Sequence, residues 1–195
     1  MGRYRTLILE YFATPRHPLI NEKKWLSTRT GIAKELEKIL FNVPNVTVEK
    51  QEFKTEILYK RLESTRLKGQ NIIVTFHGRN QGTKNDEIHL VGAHYDSDSS
   101  RLVAMNDNGS GVVAILECIQ SLSDQIINKR TILMNTVIFV LFDVQRSQFV
   151  NLISRGSWTN QLLKLNIIFE YRNWYVILNK QQVVSSTLTK SYRLF

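Results

Sequence analysis

Apolar and polar positions alternate along the chain with two different periods, and together they predict strands interleaved with helices. From 21 to 41, Trp25, Ile32, Leu36 and Leu40 fall near one helical face, with Lys34, Glu35, Glu37 and Lys38 on the other. Asn42-Val43-Pro44-Asn45 ends that helix. Val46 to Phe53 reads as a strand. The segment 54–70 is charged and weakly patterned, a strand or a loop excursion. Asn71 to Phe76 is a strand, His77 to Gly82 a turn-rich loop. Glu87 to Ala93 is a strand, apolar but for its charged start and His89, and a polar loop from His94 to Asn108 follows it. Ser110 to Ile127 carries the strongest helical period, with Val112, Ile115, Leu116, Ile119 and Leu122 on one stripe. Thr136 to Phe142 is a continuous apolar strand of the kind found deep in a parallel sheet. Beyond Asp143 the pattern predicts a helix near 157–165 and a strand near 166–178. Strand, loop, helix, strand is a βαβ unit, so the fold class is α/β.

Composition narrows this picture without changing it. The 195 residues suit one domain with a substantial core. Gly and Pro number only 12 and hydrophobic residues reach 43%, which excludes collagen-like and wholly disordered chains. No apolar run approaches a membrane span, and the short Leu7-Ile8-Leu9 stretch before Glu10 is not a signal peptide. A single cysteine, Cys118, allows no intrachain disulfide and leaves the compartment unread. The net charge is +9, unevenly placed: residues 144–195 hold seven basic residues and one acidic residue, Glu170. These cations are scattered singly, as on a solvated face, and do not specify a nucleic-acid partner.

In open α/β sheets, ligands bind beyond the carboxyl ends of the strands. Two loops leave such ends here, one from His94 and one from Asp143. The first closes with Asn106-Asp107-Asn108-Gly109-Ser110-Gly111, straight onto the best helix. His94 offers a borderline-soft nitrogen and Asp107 a hard oxygen, a pair that suits zinc. Asp96 stands where it could accept the other imidazole N–H of His94 and fix its tautomer. The alternative is structural: Asp107 or Asn108 caps the helix and His94 is a loop histidine. Gly109-Ser110-Gly111-Val112-Val113-Ala114 also matches the dinucleotide fingerprint, but no strand precedes the first glycine and Asp107 would repel a pyrophosphate.

These blocks, Ala93-His94-Tyr95-Asp96-Ser97 and Asn106-Asp107-Asn108-Gly109-Ser110-Gly111, resemble the di-zinc aminopeptidase-like peptidases, a superfamily that also includes plasma glutamate carboxypeptidase and glutaminyl cyclases. Thr14-Pro15-Arg16-His17-Pro18 and Gly69-Gln70-Asn71-Ile72-Ile73-Val74 fit as well, so the resemblance covers roughly residues 5–144. It implies a three-layer α/β fold with a mixed, mostly parallel sheet and helices on both faces, its C-terminal part incomplete. It implies a peptidase-like domain over 1–165 and a divergent basic tail over 166–195. It assigns His94 to one zinc, Asp107 to a bridge between two zincs, and Asp96 to the catalytic set as the group orienting His94. The family places two adjacent glutamates after the next strand, the first the general base and the second a metal ligand. Here Gln145 and Arg146 stand there. Gln145 cannot take a proton, and Arg146 would repel a cation. Glu170, in Phe169-Glu170-Tyr171, resembles the third ligand, and no histidine follows His94.

The resemblance therefore implies one or two zinc ions in the family and at most one, weakly held, in this chain. The function it implies is a zinc-dependent exopeptidase, aminopeptidase-like, hydrolysing peptide bonds. The alternative is a catalytically inactive pseudo-peptidase that binds a peptide or protein, with Arg146 paired to Asp107 or to a ligand carboxylate. The partner in either case is a peptide. Family members are often secreted or vacuolar.

Overall fold

The computed structural model describes residues 2–59, 63–97 and 105–144. The expected helix near 157–165, the strand near 166–178, the basic tail and Gln145, Arg146 and Glu170 lie outside the described residues. Within them the chain runs α1 (Arg3–Leu7), continued as a wider helical turn over Ile8–Phe12, then α2 (Glu22–Ile39), β1 (Val46–Tyr59), β2 (Glu63–Phe76), β3 (His89–His94), α3 (Ser110–Ile127) and β4 (Val137–Phe142). The sheet order is β1-β2-β4-β3. β3 and β4 are parallel, from His89↔Val137 to His94↔Phe142, and α3 makes the crossover between them. β2 runs antiparallel to both β1 and β4. The result is a mixed sheet in an α/β fold.

Side chains along these strands alternate between two clusters, as the two-residue period of a strand requires. Ile72, Val74, Phe76, Ala93, Phe139 and Leu141 face the larger core, where they meet Phe12, Trp25, Ile32, Leu36, Val112, Ile115, Leu116 and Ile119 from the helices. Ile73, Leu90, Val140 and Phe142 face the other way and form a second buried cluster. Among the described residues every helix packs on the first face. Each Ile, Leu or Phe buried there contributes about 1.5–3 kcal/mol by leaving water.

α2 begins at Asn21, whose side-chain oxygen accepts from Lys24 N–H. Its stripe is broader than the sequence pattern suggests. Glu35, placed by periodicity on the polar face, is buried and paired with Lys38 at 2.7 Å and Arg3 at 3.8 Å. At the opposite end of the sheet from the His94 loop, the Asp86 carboxylate accepts from Thr136 N–H at 2.8 Å and Thr136 Oγ1–H at 2.9 Å. That pair ties together the chain segments entering β3 and β4, which then run in register to the other edge.

Candidate metal centre

β3 ends at His94, and β4, its parallel neighbour, ends at Phe142 opposite it. The segments leaving both strands therefore emerge at one edge of the sheet. The turn Met105–Gly109 returns the chain to that edge before α3. Asp107 and Asn108 are non-helical there, at φ −125° and −129°, so Asp107 is not part of the helical spiral that follows. α3 starts at Gly109 with no side-chain cap at that residue. A Cβ on Gly109 would lie 2.7 Å from Cβ and Cγ of Phe12. Only glycine lets the Asp107 turn sit this close to the aromatic ring.

The structure brings His94 and Asp107 together. His94 Nε2 lies 3.1 Å from Asp107 Oδ1 across 13 positions of sequence. The other ring nitrogen, Nδ1, lies 3.2 Å from Asp96 Oδ1 and 3.2 Å from the Asp96 carbonyl oxygen. His94 and Asp96 are buried, whereas the Asp107 side chain is 31% exposed. Solvent and any ligand thus reach this group from the Asp107 side.

The donor pair fits zinc chemically. Two ligands on one tetrahedral zinc stand about 3.3 Å apart, given Zn–N and Zn–O bonds of about 2.0–2.2 Å. The observed 3.1 Å separation is close to that edge. Asp96 on the far nitrogen completes the carboxylate–histidine arrangement that raises ligand basicity. Among the described residues, no third His, Cys, Asp or Glu joins the pair to make a three-donor group. The described residues thus bring together one imidazole and two carboxylates, those of Asp96 and Asp107.

Two buried charges beside this group were not singled out by sequence pattern. Arg16 is fully buried. Its Nε–H donates to the Tyr95 carbonyl at 2.9 Å, and Nη1 donates to the Phe12 and Thr14 carbonyls at 3.1 and 2.9 Å. Burial lowers this guanidinium to about 10, and the charge of Asp96 partly opposes that. Asp143, the first residue past β4, is also fully buried. Trp25 Nε1–H donates to its Oδ1 at 2.6 Å and Gln70 N–H to its Oδ2 at 2.9 Å, with Arg29 Nη1 3.7 Å from Oδ2. Desolvation, then the nearby Asp96 charge, pushes the Asp143 carboxyl up to about 6. Tyr95 joins this cluster, its hydroxyl donating to the Gln70 carbonyl at 2.8 Å, and burial drives its phenol well above the usual range. A carboxyl poised near neutrality resembles a general base, but Asp143 is enclosed and occupied by donors. The only sequence signal for it is its place directly after an apolar strand.

Residues 71–144, from within β2 to just past β4, match Peptidase family M28. No curated protein sequence matches the chain. Among solved structures, the chain is similar to a glutaminyl cyclase of Porphyromonas gingivalis, with a TM-score of 0.60 and 19% identity over 82% of this chain and 51% of that one. A glutaminyl cyclase of Tannerella forsythia gives 0.53 and 24% over 76% and 49%. A Zn-dependent exopeptidase from Parabacteroides distasonis ATCC 8503 gives 0.53 and 23% over 74% and 47%. At such identities the structural likeness establishes the fold. The chain spans about half the length of these structures. The resemblance seen in the His94 and Asp107 blocks thus has a sequence match across the unit that carries them.

Proposed function

We propose that this chain carries the zinc-binding half of an exopeptidase-type hydrolytic site, with His94 and Asp107 as metal ligands, Asp96 as the group that orients His94, and a peptide as substrate or ligand. The observation that carries the reading is the 3.1 Å approach of His94 Nε2 to Asp107 Oδ1 at the edge of the sheet where the His94 and Asp143 segments emerge. It lies within the segment that matches Peptidase family M28. Zinc bound there would supply Lewis acidity toward a peptide carbonyl and would activate water. The protein's part is to keep the imidazole in the Nδ1–H tautomer through Asp96, and to offer Asp107 from the exposed side.

Hydrolysis also needs a base. Among the described residues near the pair, Asp96 is committed to His94 and Asp143 to Trp25 and Gln70. The sequence puts Gln145 and Arg146, not two carboxylates, directly after Val144. This favours a second reading for the same site, a peptide-binding module with slow or absent turnover. Glu170 is the remaining candidate for a third ligand in the first reading.

Metal analysis of the purified full chain tests the shared premise. At least about one zinc per two chains is expected, rising on addition of zinc; less, with no gain, overturns it. Turnover separates the two readings. On a panel of aminoacyl fluorogenic amides, the double change Gln145→Glu, Arg146→Glu should raise hydrolysis at least about a hundredfold if only the base and a ligand are missing. Equal, zero rates before and after leave the binding module as the function.

A further inference from the structure

The segment Phe12–Arg16 packs against the stretch that follows His94 and against the turn that carries Asp107, through Arg16 and its stacking partner Phe12. Arg16 is bonded to the loop that follows His94 by three contacts. Its N–H donates to Ser97 Oγ at 2.8 Å, its carbonyl accepts from Ser97 N–H at 3.3 Å, and its Nε–H donates to the Tyr95 carbonyl at 2.9 Å. Asp96 lies between those two residues, and its negative charge favours the protonated guanidinium. The same guanidinium stacks over the Phe12 ring, 4.8 Å from its centroid, and binds the Phe12 carbonyl. Phe12 in turn lies against Gly109, two positions after Asp107, in contact too close for any side chain to intervene. One buried cation therefore spans from the Asp96 side of His94 to the backbone of the Asp107 turn.

We infer that Arg16, acting through Asp96 on one side and through Phe12 on the other, is the positioning residue that holds His94 and Asp107 at the separation a single metal ion requires. Arg16 touches neither the ion nor a substrate. Its Nε–H, bonded to the Tyr95 carbonyl, and its main chain, bonded to Ser97, hold the Tyr95–Ser97 backbone that carries Asp96 beside His94 Nδ1. Its planar face sets the height of Phe12 under Gly109. The inference rests on the metal-binding reading of this pair, and the test separates the two.

Metal-free full-length protein is titrated with Co(II), the visible absorption band reporting the geometry of the bound ion. Wild type, Arg16→Met, Arg16→Lys and Phe12→Leu are compared, with Arg5→Met, a change at an exposed position, as a control for lost charge. Arg16→Met should weaken Co(II) binding ten- to a hundredfold and alter the band. Arg16→Lys, which restores the charge but not the fork, should recover part of the affinity without restoring the band. Arg5→Met should match wild type. Wild-type affinity and an unchanged band in folded Arg16→Met would overturn the inference. If Arg16→Met does not fold, Phe12→Leu decides, with about tenfold weaker binding expected and a change under twofold overturning it. The His94 imidazole resonances of the metal-free protein give a readout that needs no ion. They should be distinct and sharp in wild type and drift toward the free-histidine position in Arg16→Met and Phe12→Leu. Unmoved resonances overturn the brace. Failure of wild type to take up Co(II) overturns the metal reading instead, and the resonances then decide the brace alone.

Discussion

Asp143 follows β4 with its carboxyl displaced from 3.8 to about 6, chiefly by burial, next by the Asp96 charge, and held from going further by donors from Trp25 and Gln70. A carboxyl that is harder to ionise folded than unfolded stabilises the protein fully below the unfolded value and loses that contribution as pH rises through the folded one. The displacement corresponds to roughly 3 kcal/mol, lost between about pH 4 and pH 6. Urea unfolding of wild type against Asp143→Asn across pH 4 to 7 should show it: the wild-type curve falls over that window relative to the variant, and parallel curves would mean the carboxyl titrates normally. His94 and Asp107 were legible as a pair because an imidazole and a carboxylate flanked a βαβ unit in a recognisable order. Arg16 and Asp143 were not, since their roles depend on partners 79 and 118 positions away. Local pattern shows only an arginine between two prolines and an acid at the end of a strand.

At the scale of elements, the hydrophobic period located α3 over Ser110–Ile127, β3 and β4 to within two residues, and the proximal parts of β1 and β2. Those segments are packed against something, and packing is what imposes a period. The charged stretch 54–70 had no such imprint. It turns out to hold the distal halves of β1 and β2, paired Tyr59↔Glu63 to Phe53↔Gly69. β4 pairs with β2 only from Ile72 to Phe76, so the distal part of the hairpin has no second neighbour in the described sheet. Backbone bonds between two strands leave the sequence free of alternation. α2 shows the converse, an element held by specific bonds as well as by its stripe. Trp25 reaches across to Asp143 at 2.6 Å. Trp25→Phe keeps most of the apolar contact and removes this donor to a buried charge, which should cost about 1.5–3 kcal/mol by urea denaturation followed by circular dichroism. The loss should be greater at pH 7 than at pH 5, because the bond counts for most when Asp143 is ionised. An equal loss at both values would assign the effect to packing.

The parallel β3–β4 pair and its α3 crossover decide where the whole molecule can do chemistry. They bring the His94 loop and the Asp143 turn to one edge and leave Asp86 and Thr136 to close the other. That much follows from strand order and the handed crossover, and the βαβ pattern was enough to anticipate it. The four-stranded order and the antiparallel β2 were not, because pairing partners far apart in sequence leave no local mark. The organisation has a thermodynamic consequence. The two donors come from separate segments and converge only when β3, the Met105–Gly109 turn and α3 are packed together. The unfolded chain offers no such pair, so a metal ion held here must stabilise the fold by mass action. Zinc at a hundred times its dissociation constant adds about 2.7 kcal/mol. For a chain of this size that is a rise in melting temperature of roughly 5–10 °C. The rise should vanish in His94→Ala and shrink in Asp96→Ala, where the imidazole remains but its orientation is lost. Calorimetry in the presence and absence of zinc checks this, and a rise of equal size in wild type and His94→Ala would place the ion elsewhere on the molecule.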